Sequence, residues 1–290
     1  MVLLVRRAVD DLTLPACRRT GPAGGPARPG PAAVRAGVSR AADRRLLPAA
    51  AAGQDCRSGS AGQEPGSGAG PALLATVMQV EIWSDVVCPW CYLGKKRFER
   101  ALAGFEHRDQ VQVVYRSFEL DPAAPQGSTT PTVELLADKY GMSPAQADQA
   151  QRQMEERAAA DGLTFRMAGL RSGSTRDAHR LLQLAKEAGR QEQLMERLQR
   201  AYFTDQESIF DHESLTRLAT EAGLDRDDVA AVLASDRYAE HVDTDQQMAN
   251  ALGATGVPLF VINRKYGISG AQPAETIASV LERAWDEALA

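Results

Sequence analysis

The sequence predicts an α/β fold in which a large all-helical segment interrupts a sheet. Two observations predict it. Apolar alternation at 80–84, an amphipathic stretch at 91–105 and a β-branched run at 111–118 indicate a strand, a helix and a second strand, which form a βαβ unit. Every periodic segment from 131 to about 252 has helical spacing instead, before β-rich runs return near the end of the chain.

Cap residues mark the helices of the interrupting segment. Ser143, Asp211 and Asp225 each precede a helical run, and glycines follow the ends of several runs. After the βαβ unit, the predicted elements are helices at 132–140, 144–161, 175–188, 191–203, 212–222, 226–234 and 236–252, strands at 259–263 and 266–269, and a closing helix at 274–288.

Residues 1–77 differ in composition from the rest of the chain. They contain no Lys and carry ten Arg against five acidic residues, and Ala, Gly, Pro and Ser fill most other positions. Such a segment cannot bury enough apolar surface to offset its chain entropy, so we expect it to be disordered. We interpret it as a disordered leader or as an upstream start assigned too early, with Met78 as the expected N-terminus. An Arg-rich leader also resembles an organelle transit peptide, but its Pro and Gly content breaks an amphipathic helix.

Residues 78–290 are expected to hold one domain at 78–130 and 253–290, and a helical insertion at 131–252. This part is net negative, which argues against a nucleic acid partner, and it has no apolar run long enough to span a membrane. The apolar start of the leader is too short for a secretory signal. Because only two cysteines remain, there is no disulfide framework of the secreted kind, and we expect a cytoplasmic protein. The sequence leaves a homodimer open.

Cys88-Pro89-Trp90-Cys91 carries the predicted chemistry. The motif stands between the first strand and the first helix, where unpaired N–H groups and the helix dipole favour a thiolate at Cys88. Pro89 fits the first helical turn, and the i, i+3 spacing puts Cys91 on the same face, one turn deeper. Cys88 is therefore the predicted nucleophile of thiol–disulfide exchange, and Cys91 the resolving thiol.

Two other interpretations of the motif are weaker. A zinc site needs a second Cys or His pair, and the chain offers only Cys17 and Cys56, far upstream, with no pair of histidines at metal-binding spacing. A purely structural disulfide would close too short a loop to restrict the unfolded chain much. We therefore expect no metal and no cofactor besides the redox-active cysteine pair, with glutathione as a candidate co-substrate.

Several segments, the motif among them, carry a resemblance to a known protein family. The two most specific segments are residues 84–94 and Gly256-Val257-Pro258, and residues 178–181, 201–203 and 270–273 indicate the branch of that family. On these residues the chain resembles the DsbA family, which has a thioredoxin fold with a helical insertion, and within it the FrnE-like branch. The resemblance covers essentially all of residues 78–290 and implies a thiol–disulfide oxidoreductase or isomerase.

Further substrate-binding residues are implied by the resemblance. Val257-Pro258 is expected to be a cis peptide facing the thiols, so that the Val257 backbone pairs with an extended substrate segment, and Gly256 would let that backbone approach closely. The FrnE-like pattern places His179 near the thiols, as a proton shuttle or as a ligand of a substrate carboxylate. Taken alone, a single His at helical spacing is also typical of a packing residue.

Two further residues, Asp85 and Trp90, lie close to the thiols in sequence. Asp85 either disfavours a neighbouring thiolate through its like charge or acts as a base, and the sequence does not choose. Trp90 occupies the dipeptide that tunes the redox potential and is expected to contact substrate. Because it replaces the His of strongly oxidising relatives, we expect a less oxidising couple.

Three classes of function are compatible with these residues. The leading class is an oxidoreductase that uses Cys88 and Cys91 on a thiol- or disulfide-bearing protein or small molecule. The second is a glutathione-dependent isomerase or transferase, since 2-hydroxychromene-2-carboxylate isomerases and kappa-class glutathione transferases resemble this fold with the same insertion. Those proteins typically have Ser where Cys88 stands and lack Cys91. The third is a binding module, which would not need a redox pair.

Overall fold

The computed structural model describes residues 2–4 and 78–289. The strands are β1 (Val2–Leu4), β2 (Met78–Ser84), β3 (Val111–Ser117), β4 (Thr129–Pro131), β5 (Arg171–Gly173), β6 (Leu259–Ile262) and β7 (Tyr266–Ser269). The helices are α1 (Pro89–Ala103), α2 (Thr132–Tyr140), α3 (Pro144–Ala160), α4 (Arg176–Glu187), α5 (Gln191–Arg200), α6 (His212–Glu221), α7 (Arg226–Leu233), α8 (Ala239–Ala251) and α9 (Ala274–Leu289).

The main sheet has the strand order β1, β7, β6, β2, β3. Strands β2 and β3 are parallel and are joined through α1, whereas the other neighbours are antiparallel. Strand β2 places Ile82 on the face that packs against α1 and α9, where Phe98 stacks on Phe260 with ring centroids 5.7 Å apart. Its other face carries Trp83, whose indole N–H donates to the Asp245 carbonyl of α8 at 2.8 Å.

The edge strand β3 is covered by side chains of the helical insertion. The Gln191 amide accepts the Tyr115 N–H at 3.0 Å and donates to the Tyr115 carbonyl at 2.9 Å, so it pairs with the strand as a neighbouring peptide would. Asp245 accepts the Ser117 N–H at 2.9 Å. These bonds satisfy backbone groups that an exposed edge would leave unpaired, and they fix the insertion against the sheet.

The predicted helix starts at Ser143, Asp211 and Asp225 are confirmed. Each side chain accepts a backbone N–H from the first turn of its helix, and Ser143 forms a complete capping box with Gln146. The helix predicted at 191–203 ends its α-helical part at Arg200 and continues as a π-helical turn over Ala201–Asp205. Among the residues described, no helix is long and apolar enough to cross a membrane.

Two features differ from the sequence prediction. The insertion is mostly helical, but β4 and β5 form a small antiparallel sheet that the prediction missed, because strands of three residues carry no readable alternation. Val2–Leu4 form β1 on the outer edge of β7, although residues 1–77 were expected to be disordered. Met1 and residues 5–77, with Cys17 and Cys56, lie outside the described residues. The α/β architecture otherwise agrees with the prediction.

Candidate active site

Cys88 stands at the junction between β2 and α1. It is the N-cap residue of the helix, with extended backbone angles of φ −88° and ψ 114°, and its carbonyl accepts the Cys91 N–H at 3.0 Å. Pro89 lies in the first helical turn as predicted, but α1 spans Pro89–Ala103, so it begins and ends two residues before the predicted 91–105. The first turn of α1 contains no acidic residue, so no side-chain carboxylate from that turn offsets the positive end of the helix dipole at the Cys88 sulfur.

Cys91 lies one turn deeper and is more thoroughly enclosed. Its relative exposure is 1%, against 5% for Cys88, and both cysteines are free thiols. Burial raises the pKa of the Cys91 thiol well above its usual value, and the neighbouring Cys88 raises it further, although hydrogen bonds from the Ser84 side chain and the Asp85 backbone oppose the shift. Cys91 is therefore held as a neutral thiol behind the outer sulfur.

The segment before β6 faces the outer thiol. The Cys88 Sγ lies 3.7 Å from the Val257 carbonyl oxygen, within reach of a weak S–H hydrogen bond, and the Val257–Pro258 peptide bond is cis. Val257 and Gly256 are half-buried, whereas Pro258 is buried. The structure thus brings Cys88 together with the segment that was predicted to bind substrate.

Gly94, which the sequence analysis included in segment 84–94 without giving it a role, permits this approach. A Cβ atom on Gly94 of α1 would lie 2.8 Å from the Pro258 Cγ, closer than side chains tolerate. Gly94 is three residues beyond Cys91, so it lies on the same face of the helix, and that spacing could have identified it. Gly256 differs, since a Cβ there would meet no atom of the described residues within 4 Å, apart from its two neighbours in the chain. Its predicted role toward substrate stays a prediction.

His179 contacts Asp85 in the loop between β2 and α1, residues 85–88, which we call the thiol loop. The ring is fully buried on α4, and its Nε2 lies 3.2 Å from Asp85 Oδ1, while Asp85 Oδ2 accepts the Leu120 N–H at 2.8 Å. The Asp85 carbonyl in turn accepts the Cys88 N–H at 3.2 Å. Within the described residues, the His179 Nδ1 has no hydrogen-bond partner. His179 therefore supports the loop that carries Cys88, and its predicted contact with substrate stays a prediction.

A buried carboxyl that the sequence analysis missed lies behind this pair. Burial raises the pKa of Glu119, despite attraction from His179 and Arg176. Arg176 binds Glu119 at 3.1 Å and Asp243 at 2.8 Å. Glu119 stands just beyond β3 and carries no recognisable motif, so only the folded chain brings it close to His179.

Trp90 is the exposed member of the motif. Its relative exposure is 41%, and the Arg157 guanidinium of α3 lies over its ring at 5.5 Å from the centroid. Elsewhere, α1 is tied to the insertion by the buried Lys95, which pairs with Glu196 of α5 at 2.5 Å. The insertion therefore holds the active-site helix through Glu196 and places Arg157 beside the exposed Trp90.

No metal site accompanies the thiols in the part of the chain that the structure describes, since no three His, Cys, Asp or Glu side chains there are grouped to hold an ion.

A cavity of about 490 Å³ lies elsewhere, beside the N-terminal ends of α4 and α6, and is lined by residues such as Asp177, Phe210 and His212. It includes neither cysteine. Both thiols are buried, and Cys88 lies beside the half-buried Val257 and two residues before the exposed Trp90.

Comparisons with known proteins identify the family to which this fold belongs. Residues 79–282 match the DSBA-like thioredoxin domain. The chain is similar to the crystal structure of a probable DsbA oxidoreductase from Streptomyces coelicolor, with 53% identity, a TM-score of 0.70, and coverage of 72% of this chain and 91% of that one. It is also 27% identical to the uncharacterized Bacillus subtilis protein YwbO over 190 residues, which are 64% of this chain and 86% of that protein.

A more distant structure shares the fold alone. The 2-hydroxychromene-2-carboxylate isomerase structure has 17% identity and a TM-score of 0.52, and the match covers 72% of this chain and 97% of that one. These matches confirm the predicted thioredoxin fold with its large, mostly helical insertion. The domain match spans well over half of the chain and includes both thiols and the Val257–Pro258 segment. The chain therefore belongs to the DsbA-like thioredoxin family of thiol–disulfide oxidoreductases.

Proposed function

We propose that the protein reduces or rearranges disulfides through Cys88 and Cys91 and works in the cytoplasm. The observation that carries the proposal is the unequal placement of the two sulfurs. Cys88 occupies the helix N-terminus next to the Val257 carbonyl, whereas Cys91 lies one turn deeper, where burial raises the pKa of its thiol. A nucleophile and a resolving thiol need this order, because the first must meet the substrate and the second must wait until the first has reacted.

The reaction proceeds in two exchanges. The Cys88 thiolate attacks one sulfur of a substrate disulfide, so a Cys88–substrate bond forms and the other substrate sulfur leaves with the electron pair and takes up a proton. Cys91 then loses its proton and attacks the Cys88 sulfur, which forms the Cys88–Cys91 disulfide and releases the second substrate thiol. Two electrons pass from the cysteine pair to the substrate, and an external dithiol restores the pair. The same steps run in reverse when the oxidised pair accepts electrons.

Substrate binding is proposed at the segment before β6. The Val257 carbonyl lies within 3.7 Å of the Cys88 sulfur, so a substrate strand paired with that backbone would present its own sulfur to Cys88. No cofactor beyond the cysteine pair is required. Glutathione is proposed as a co-substrate, and partners are thiol- or disulfide-bearing proteins or small molecules.

Reduction of insulin disulfides by dithiothreitol tests the proposal. We expect activity in the native protein, loss of activity in Cys88→Ser, and an accumulating mixed disulfide in Cys91→Ser. Cys56→Ser, outside the motif, is the matched control and should retain activity. Full activity in Cys88→Ser would overturn the proposal.

A glutathione-dependent isomerase is the alternative, favoured by the shared fold of the isomerase structure. Isomerisation does not consume electrons, so it needs no resolving thiol, and the buried Cys91 argues against it. Glutathione-dependent isomerisation that persists in Cys91→Ser, without any disulfide turnover in the native protein, would favour this alternative.

A further inference from the structure

The indole of Trp90 is an exposed aromatic surface between the two buried cysteines of the motif. Trp90 lies between the two cysteines in sequence, and its 41% exposure contrasts with the burial of both neighbours. A large exposed aromatic side chain beside a reactive sulfur will contact whatever that sulfur attacks. Trp90 is therefore available to contact a substrate of Cys88.

Arg157 extends this surface with a positive charge. It is an exposed residue of α3, and its guanidinium carbon lies 5.5 Å from the centre of the Trp90 ring. Within residues 78–289, the Arg157 side chain makes no hydrogen bond or ion pair. Arg97 and Arg100 of α1 differ in this respect, because both bind Asp161, at 2.7 and 3.3 Å.

An arginine in this setting is prepared for a carboxylate. The aromatic ring supports one face of the guanidinium through a cation–π contact and restricts its motion. Its N–H donors point outward from the edge of the plane, in the fork geometry that binds a carboxylate with two hydrogen bonds. No carboxylate of the described residues occupies that position, so these donors are available to a carboxylate of a substrate.

We propose that Arg157, held over Trp90, binds a carboxylate that lies close to the reacting sulfur of the substrate. The inference rests on the proposed disulfide exchange at Cys88 and names the class of substrate, a disulfide or thiol that carries a nearby carboxylate. Arg157 acts on specificity and orientation, since its guanidinium binds the substrate away from the sulfur. The carboxylate comes from a small acidic thiol or from an acidic residue beside a cysteine in a peptide.

A pair of matched small disulfides tests this specificity. Dithiodiglycolate carries a carboxylate next to each sulfur, and its diamide is uncharged. With dithiothreitol as reductant, the ratio of kcat/KM for the acid over the diamide should fall about fivefold in Arg157→Gln, mainly through KM, as expected for one solvent-exposed charge pair. The ratio for Arg157→Lys should lie between those of the native protein and Arg157→Gln, because Lys keeps the positive charge but cannot form the two parallel hydrogen bonds of a guanidinium.

The control is Arg152→Gln, which removes an exposed arginine from the same helix that is already paired with Asp148. Its ratio should equal that of the native protein. An unchanged ratio in Arg157→Gln, or an equal loss for acid and diamide, would overturn the inference. If the native protein turned over neither disulfide, the proposed exchange itself would fail instead.

Peptide disulfides separate the two sources of the carboxylate. Peptides with Asp or Asn beside the cysteine are compared with glutathione disulfide in the native protein and in Arg157→Gln. If kcat/KM is higher for the Asp peptide than for the Asn peptide in the native protein but not in Arg157→Gln, the carboxylate comes from an acidic peptide. If Arg157→Gln lowers kcat/KM for glutathione disulfide and leaves both peptides unchanged, it comes from a small acidic thiol. Absence of any Arg157-dependent preference in both arms contradicts the inference.

Discussion

Gly94 sets the distance between the active-site helix and Pro258, and Gly94→Ala should therefore disturb both stability and catalysis. The added Cβ would lie 2.8 Å from the Pro258 Cγ, whereas ordinary contacts begin near 3.4 Å. Overpacking of this kind costs about 1–3 kcal/mol. Replacing Gly by Ala within a helix returns about 1 kcal/mol. We therefore expect a net loss of about 1 kcal/mol in the free energy of unfolding.

The catalytic effect follows from displacement of the same segment. If Pro258 moves away from α1, the Val257 carbonyl also moves relative to the Cys88 sulfur, and kcat/KM for insulin reduction should fall about tenfold. Stability is measured by urea denaturation and activity by the insulin assay. Gly104→Ala is the control, because Gly104 has right-handed helical angles and, among the residues that the structure describes, the nearest non-neighbouring atom to an added Cβ is the Ala101 carbonyl oxygen at 3.7 Å. A Gly94→Ala protein that is more stable than the native one and equally active would refute the reasoning.

Three further predictions concern buried groups. Because the pKa of Cys91 is raised, an alkylating reagent should modify it slowly at about pH 7 and faster only as the pH rises above its usual pKa; mass spectrometry showing rapid labelling at neutral pH would contradict this. His179→Ala should lower the free energy of unfolding by about 2–4 kcal/mol in urea, because it removes a partner of the buried Asp85; a loss below about 0.5 kcal/mol would be incompatible with the pair. Gln191→Leu should cost about 2–4 kcal/mol in the same measurement by leaving two backbone groups of β3 unpaired; a loss below about 0.5 kcal/mol would contradict the pairing.

The reacting groups were the part of the site that sequence could predict. Cys88 and Cys91 lie in one short motif, and the strand before them and the helix after them follow from local periodicity. Predicting Val257 as their neighbour required the family resemblance, because more than 160 residues separate it from Cys88 and no local pattern links the two.

Contacts between distant elements were beyond sequence reasoning. Gly94 is significant only because Pro258 approaches it, and Arg157 only because α3 ends beside Trp90. The partner of His179 likewise follows from the packing of α4 against the thiol loop. The short strands β4 and β5 were missed for a different reason, since three residues are too few to show a period.

Trapping the mixed disulfide tests the central claim most directly. The protein is prepared with Cys17→Ser and Cys56→Ser, so that Cys88 and Cys91 are its only cysteines, and is reduced and mixed with glutathione disulfide. With the further change Cys91→Ser, mass spectrometry should find one glutathione on Cys88, whereas the protein with both active-site thiols should show an internal disulfide and no lasting adduct. An adduct that forms on Cys91 when Cys88 is replaced, at the same rate and stability, would contradict the assigned order of the two thiols.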